Sequence, residues 1–228
     1  MRNAKVIIKK QLKDTLKNKT VFIQFVLFPL MTLIMENAIR LDGMPELFFT
    51  KLFSVMYMGM APLTATAAII AEEKEKNTLR VLTMANVKGW EYLLGVGVYV
   101  WTLCMGGALV MATGFPRAQI PFYLLVMALG FVLSIVAGAC VGVCSKNQMM
   151  ATSLVMPVML VLSFAPMLAM FNDTIEKIAR FFYTQQVRTL LNEMTFAGLG
   201  AEGAFILAAN AFLMGMVFVT AFHRKGLE

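Results

Sequence analysis

Hydrophobic residues run along this chain in six long stretches, at about Val21–Ile39, Leu52–Ala71, Glu91–Thr113, Ile120–Cys144, Met150–Phe171 and Ala204–Phe222. Charges, glycine or proline bound each of them. Inside lipid every backbone amide must be satisfied within its own segment, and about 20 apolar residues suffice to cross the hydrocarbon, so runs of this kind predict helices. The polar alternation that a strand would need is absent. The pattern therefore predicts an all-α polytopic membrane protein with six transmembrane helices, folded as a single transmembrane domain over residues 1–228.

The intervals between the runs carry patterns of their own. In residues 1–20, Ala4, Ile8, Leu12 and Leu16 fall on one side of a helical wheel, and Lys9, Lys10, Lys13 and Lys17 fall on the other. That arrangement suits an amphipathic helix lying in the membrane interface, and it also suits a basic tail that only sets topology. In the segment 172–203, Ile175, Ile178, Ala179 and Phe182 recur at helical spacing, as do Val187, Leu190, Leu191 and Met194. Two short amphipathic helices are predicted there, ahead of the last span. Between the second and third runs lies a charged island, EEKEKNTLRVLTMANVKGWEYLLG, from Glu72 to Gly95.

Composition agrees with the hydropathy pattern. Of the 228 residues 59% are apolar and 14% charged, and the mean hydropathy is +0.74. The length accommodates six spans with short connections and leaves no room for a separate catalytic domain. Basic residues set the orientation: 14 of the 20 lysines and arginines fall in the N-terminal segment, the island, the short connection after Cys144 and the C-terminal end. The positive-inside rule then places both termini in the cytosol. The net charge of +7 is explained by topology. Nucleic-acid binding is not implied, because the basic run from Arg2 to Lys19 holds no aromatic residue on which a base could stack. The lysine-rich start lacks the uninterrupted apolar core of a cleavable signal peptide. Cys104, Cys140 and Cys144 all sit in apolar runs and read as reduced thiols.

Several residues within the spans are candidates for packing or for a pathway. Gly130, Ser134, Gly138 and Gly142 recur at every fourth position, which gives the fourth span one small-residue face suited to close helix packing or to lining a groove. Pro29, Pro62, Pro157 and Pro166 weaken the helical ladder where they occur. Glu36 and Asn37 near the outer end of the first span either pair locally with Arg40 or line a pathway. Asn210 in the last span suits an interhelical hydrogen bond or a ligand.

Enzymatic signatures fail when tested. His223 is the only histidine, which excludes intramembrane zinc chemistry built on clustered imidazoles. The pair Glu72-Glu73 lacks the arginine that membrane-embedded paired-glutamate proteases carry four residues later, where this chain has Asn77. No G-x-x-x-x-G-K-[ST] loop occurs, so any ATP-driven process draws its ATPase from another chain.

The island resembles the first cytosolic loop of type-2 ABC exporter permeases, which runs roughly E-x-E-x-G-T-L-x-x-L-L-x-x-P-V-x-x-x-E-I-L-L-G-K. Glu73, Glu75, Thr78-Leu79, Leu82, Val87, Glu91 and Leu93-Leu94-Gly95 match it. Asn77 stands where glycine is usual, Asn86 where proline is common, and Val96 where lysine often follows. The resemblance implies that residues 72–90 form a cytosolic coupling loop. Glu73, Glu75, Thr78, Leu79, Leu82, Met84 and Glu91 would then transmit the action of a cytosolic ABC ATPase subunit. ATP and magnesium would sit on that partner, no cofactor on this chain, and a second permease copy would complete a homodimer or heterodimer in the membrane lipid. In the family the two outer helices dip back into the membrane as re-entrant elements. The resemblance further implies export of a hydrophobic or amphipathic cargo such as a drug, a peptide or a lipid-like molecule, across the plasma membrane of a prokaryote. The alternatives are a non-transporting immunity or sensor protein that binds a peptide at the outer face, and an ion-coupled carrier. A carrier would need paired intramembrane charges and internal repeats.

Overall fold

The computed structural model describes residues 19–39, 43–78, 84 and 89–225. Among these, all regular structure is helical: α1 (Lys19–Ala38), α2 (Phe48–Glu75), α3 (Gly89–Ala112), α4 (Ile120–Cys144), α5 (Gln148–Leu168), α6 (Asp173–Ala179), α7 (Tyr183–Glu193) and α8 (Gly200–Lys225), with a 3-10 turn at Phe196–Leu199 before α8. Five of them, α2, α3, α4, α5 and α8, are long and apolar enough to cross a membrane. In α1 the apolar portion Ile23–Ala38 is shorter. The protein is an all-α polytopic membrane protein. Residues 1–18, which hold nearly all of the expected interfacial helix, lie outside the described residues, as do Arg40, Leu79 and Leu82.

Local sequence sets several of the boundaries. Asn147 precedes α5 in an extended conformation and its side chain accepts from the Met150 amide at 2.8 Å. Asn172 caps α6 in the same way, accepting from Thr174 and Ile175. Met194 ends α7 at a φ of 52°. Helix α2 starts at Phe48, four residues ahead of the predicted Leu52, so Lys51 lies in its first turn. At 1.5 Å per residue its 28 residues extend about 42 Å, more than a hydrocarbon core of roughly 30 Å requires. The surplus carries Glu72–Glu75 past the apolar run while they remain helical.

Helix α2 is the centre of the bundle. Within its apolar window 78% of residues are buried, against 6% for α8, so α2 is the hub and α8 a peripheral helix lying along α4. Around α2 pack α4, α5, α1, α3 and α7. The tightest seam runs between α2 and α4. A Cβ placed on Gly138 would collide with the Leu63 carbonyl oxygen and lie 3.0 Å from Leu63 Cα. One on Gly142 would lie 2.8 Å from Ile70 Cβ. Gly130 faces the Met58 side chain, and Ser134, fully buried, completes this face.

Proline and serine meet at the same seam. Pro62 has no amide hydrogen, so the Met58 carbonyl one turn earlier has no helical donor. The Ser134 hydroxyl donates to it from α4 at 2.7 Å. An interhelical bond of this kind contributes about 0.6 kcal/mol on average and up to about 1.7. The larger gain is that the freed carbonyl is satisfied away from water.

Both predicted amphipathic helices before the last span are present, as α6 and α7, although α7 does not lie on a surface. It packs among α2, α4, α5 and α8, burying Tyr183, Thr184, Gln185, Val187, Leu190 and Leu191. The Tyr183 and Ser134 hydroxyls are 2.7 Å apart and fasten α7 to the small-residue face of α4. Arg188 donates to the Pro166 carbonyl at 2.8 Å, filling one of the acceptors left open at the end of α5.

Candidate functional site

At the end of the bundle that carries the charged island, three consecutive residues of α2 each engage a different helix. Glu73 is only 5% exposed, and its carboxylate stands against the buried Tyr92 side chain of α3. The Lys74 ammonium donates to the Val143 carbonyl at the end of α4, at 3.0 Å. Glu75 accepts from the Gln148 amide at 2.9 Å. That amide opens α5, where unpaired N–H groups and the helix dipole favour a carboxylate. Helix periodicity accounts for the divergence, since successive side chains leave α2 about 100° apart. The last turn of the central helix is thereby tied to α3, α4 and α5 at once.

Beyond the junction the chain leaves α2 through a defined turn. Glu72 and Lys76 pair across one helical turn on the exposed side, a contact of small energetic weight. Asn77 has a φ of 54°, and its amide bonds back to the Lys74 carbonyl. This left-handed conformation explains why glycine is usual at the position and why asparagine, among the residues that tolerate it best, serves here. Thr78 is partly buried, whereas the Met84 side chain is 79% exposed on a helical backbone. Glu91 lies in the first turn of α3, where an acidic side chain again suits the helix N-terminus.

This geometry changes the meaning of the candidate residues. Glu73 is buried against Tyr92 of α3, whereas Glu75 stays exposed while it accepts from the amide that opens α5. Tyr92 and the junction role of Lys74 were not legible in the sequence, because neither the carbonyl of Val143 nor the amide of Gln148 has a side-chain signature. Met84 is the exposed apolar residue that remains between α2 and α3 among those described.

The remaining candidates lie elsewhere. Glu36 accepts from the Thr50 amide at 2.9 Å and from its hydroxyl at 3.0 Å, which fixes the start of α2 to the end of α1. Asn37 donates to the Leu33 carbonyl within its own helix. Asn210 donates to the Phe181 carbonyl at 2.8 Å and so anchors the connection between α6 and α7 to α8. Burial holds the Arg188 guanidinium somewhat below its ordinary range, and the charge of Glu176 opposes that shift. No disulfide joins Cys104, Cys140 and Cys144.

Residues 2–222 match the family model described as "ABC-2 family transporter protein". A comparison with curated protein sequences finds no match. The match takes in α1 to α7, α8 as far as Phe222 and the junction that links α2 to three of its neighbours, and the chain is a member of the ABC-2 transporter family, a multi-pass permease subunit of an ABC transporter.

Proposed function

We propose that the chain is the membrane half of an ATP-driven exporter in a prokaryotic plasma membrane, working as a pair of permease chains with two cytosolic ABC ATPases. The observation that carries this reading is the three-way junction at Glu73, Lys74 and Glu75. A push delivered next to it reaches α3, α4 and α5 together as well as α2, which is what a rigid-body switch requires. The segment that follows Asn77 is the docking element, with Thr78, Leu79, Leu82 and Met84 offering its surface to the ATPase. Glu91 closes it where the chain returns to the membrane. Both chain termini and the island then lie in the cytosol, as the distribution of lysine and arginine favours.

A cargo with a large apolar part suits the pore better than a sugar or a small ion, because the exposed faces of the spans are almost entirely apolar. Residues Ile23, Leu27, Leu30 and Ile34 on α1 and Met156, Leu160 and Val161 on α5 form such faces. In the pair they meet lipid or the second copy.

Co-expression with an ABC ATPase of the same organism tests the reading. Purified through a tag on the permease, the two chains are expected to co-elute in equal amounts and to hydrolyse ATP faster than the ATPase alone. An eluate without ATPase, or a turnover that the permease does not change, contradicts it.

A further inference from the structure

At the opposite end of the bundle from the junction, the start of α2, the end of α5 and α7 enclose a cavity of about 380 Å³. Two cations line it, Lys51 in the first turn of α2 and Arg188 on α7. Lys51 makes a single long bond to the Asn192 carbonyl, at 3.5 Å. Arg188 uses one terminal nitrogen on the Pro166 carbonyl and, at 3.5 Å, on the Gln185 side chain, leaving its other donors for a ligand. Among the described residues neither cation has an acidic partner within 4 Å. The acids whose charge reaches them are Glu46 and Glu36 for Lys51, and Glu176 for Arg188. Glu36 is committed to Thr50, and the other two are exposed to solvent.

Ser163 also lines the cavity, with its own hydroxyl buried against Gly59 of α2. Apart from Asn192, the rest of the wall is apolar, with Phe48, Leu52, Val55, Met56, Met167 and Met170. The volume lies within the usual range for ligand pockets and exceeds what a bare anion fills.

We propose that this cavity binds the anionic head of an amphiphile, a phosphate or carboxylate held by Lys51 and Arg188, with the adjoining methylenes against the methionine and leucine wall. The inference rests on the permease reading and deepens it by naming the charge of the cargo or of a lipid that occupies its route. Arginine supplies the planar fork suited to such an oxyanion and lysine a mobile point charge.

The test is a titration of the purified full chain, held in a neutral maltoside detergent, with dodecyl phosphate, following the thermal unfolding midpoint. Saturable stabilisation is expected, with dodecyltrimethylammonium producing none and inorganic phosphate binding at least about tenfold more weakly. Lys51→Gln is expected to weaken dodecyl phosphate binding about tenfold, the worth of one charge-assisted hydrogen bond, and Lys51→Arg to retain it. Arg188→Gln removes the bond to Pro166 and risks the fold, so Lys51→Gln carries the decision. An unchanged affinity in Lys51→Gln, equal stabilisation by the cationic amphiphile, or inorganic phosphate binding as tightly as dodecyl phosphate overturns the proposal. Repeating the titration in nanodiscs distinguishes the source of the anion. Loss of dodecyl phosphate binding in phosphatidylglycerol discs and not in phosphatidylcholine discs assigns the site to a membrane lipid, while retention in both assigns it to a cargo. No ATPase enters this experiment, so its failure leaves the permease reading standing, and failure of the ATPase to co-elute leaves this site standing.

Discussion

Gly138→Val is expected to disrupt the bundle more than any other single substitution described. The added Cβ would strike the carbonyl oxygen of Leu63, with Leu63 Cα and C at 3.0 and 3.1 Å, and these backbone atoms cannot swing aside as the tip of a flexible side chain could. Either α2 and α4 separate along their seam or the backbone of α2 bends. Overpacking of this kind costs about 1–3 kcal/mol and sometimes more. In lipid, where close van der Waals contact between helices carries much of the association energy, separation loses what holds the hub in place. Thermal unfolding of the detergent-solubilised protein should show a lowered midpoint and reduced monodisperse yield. Gly106→Ala is the matched control, since nothing lies within 4 Å of the added Cβ and alanine favours a helix by roughly 0.5–1 kcal/mol over glycine. It should be neutral or stabilising.

Met84→Asp is expected to separate folding from coupling. Met84 is 79% exposed, so a charge there buries nothing and should leave the yield and unfolding midpoint of the permease unchanged. If Met84 is an apolar anchor in a cleft of the ATPase, the same charge must be desolvated on docking. Loss of a central anchor costs an interface about 2 kcal/mol or more, which is about thirtyfold in affinity. Co-purification with the ATPase and permease-stimulated ATP hydrolysis should fall by about that factor. An equal fall in yield of the folded permease would instead make Met84 a structural residue.

The parts of the fold that were legible in the sequence depend on periodicity within one segment. The apolar runs gave five long spans and the shorter α1, and the spacing of Val187, Leu190, Leu191 and Met194 gave α7. The repeat at Gly130, Ser134, Gly138 and Gly142 showed that α4 has a close-packing face, but nothing in it named Met58, Leu63 and Ile70 on α2 as what lies against it. What sequence reading missed depends on backbone groups of other segments. A run such as EEKEK looks fully solvated until the carbonyl of Val143 and the amide of Gln148 are found at its side. Glu73 illustrates the limit, since burial of a carboxylate in so polar a run depends on the start of α3 folding over it. Helix α2 begins four residues ahead of the apolar run that opens at Leu52, and Lys51 in that extension lines a cavity that no pattern within α2 announces.

Docking of the segment between α2 and α3 on a cytosolic ATPase is what the proposed function requires. Its most direct test is photo-cross-linking in membranes, with p-benzoylphenylalanine placed at position 84 or, as a control, at the 74% exposed Phe205 on α8. An adduct with the co-expressed ATPase is expected from position 84 and none from position 205. No ATPase adduct at position 84, or equal adducts at both positions, would contradict it.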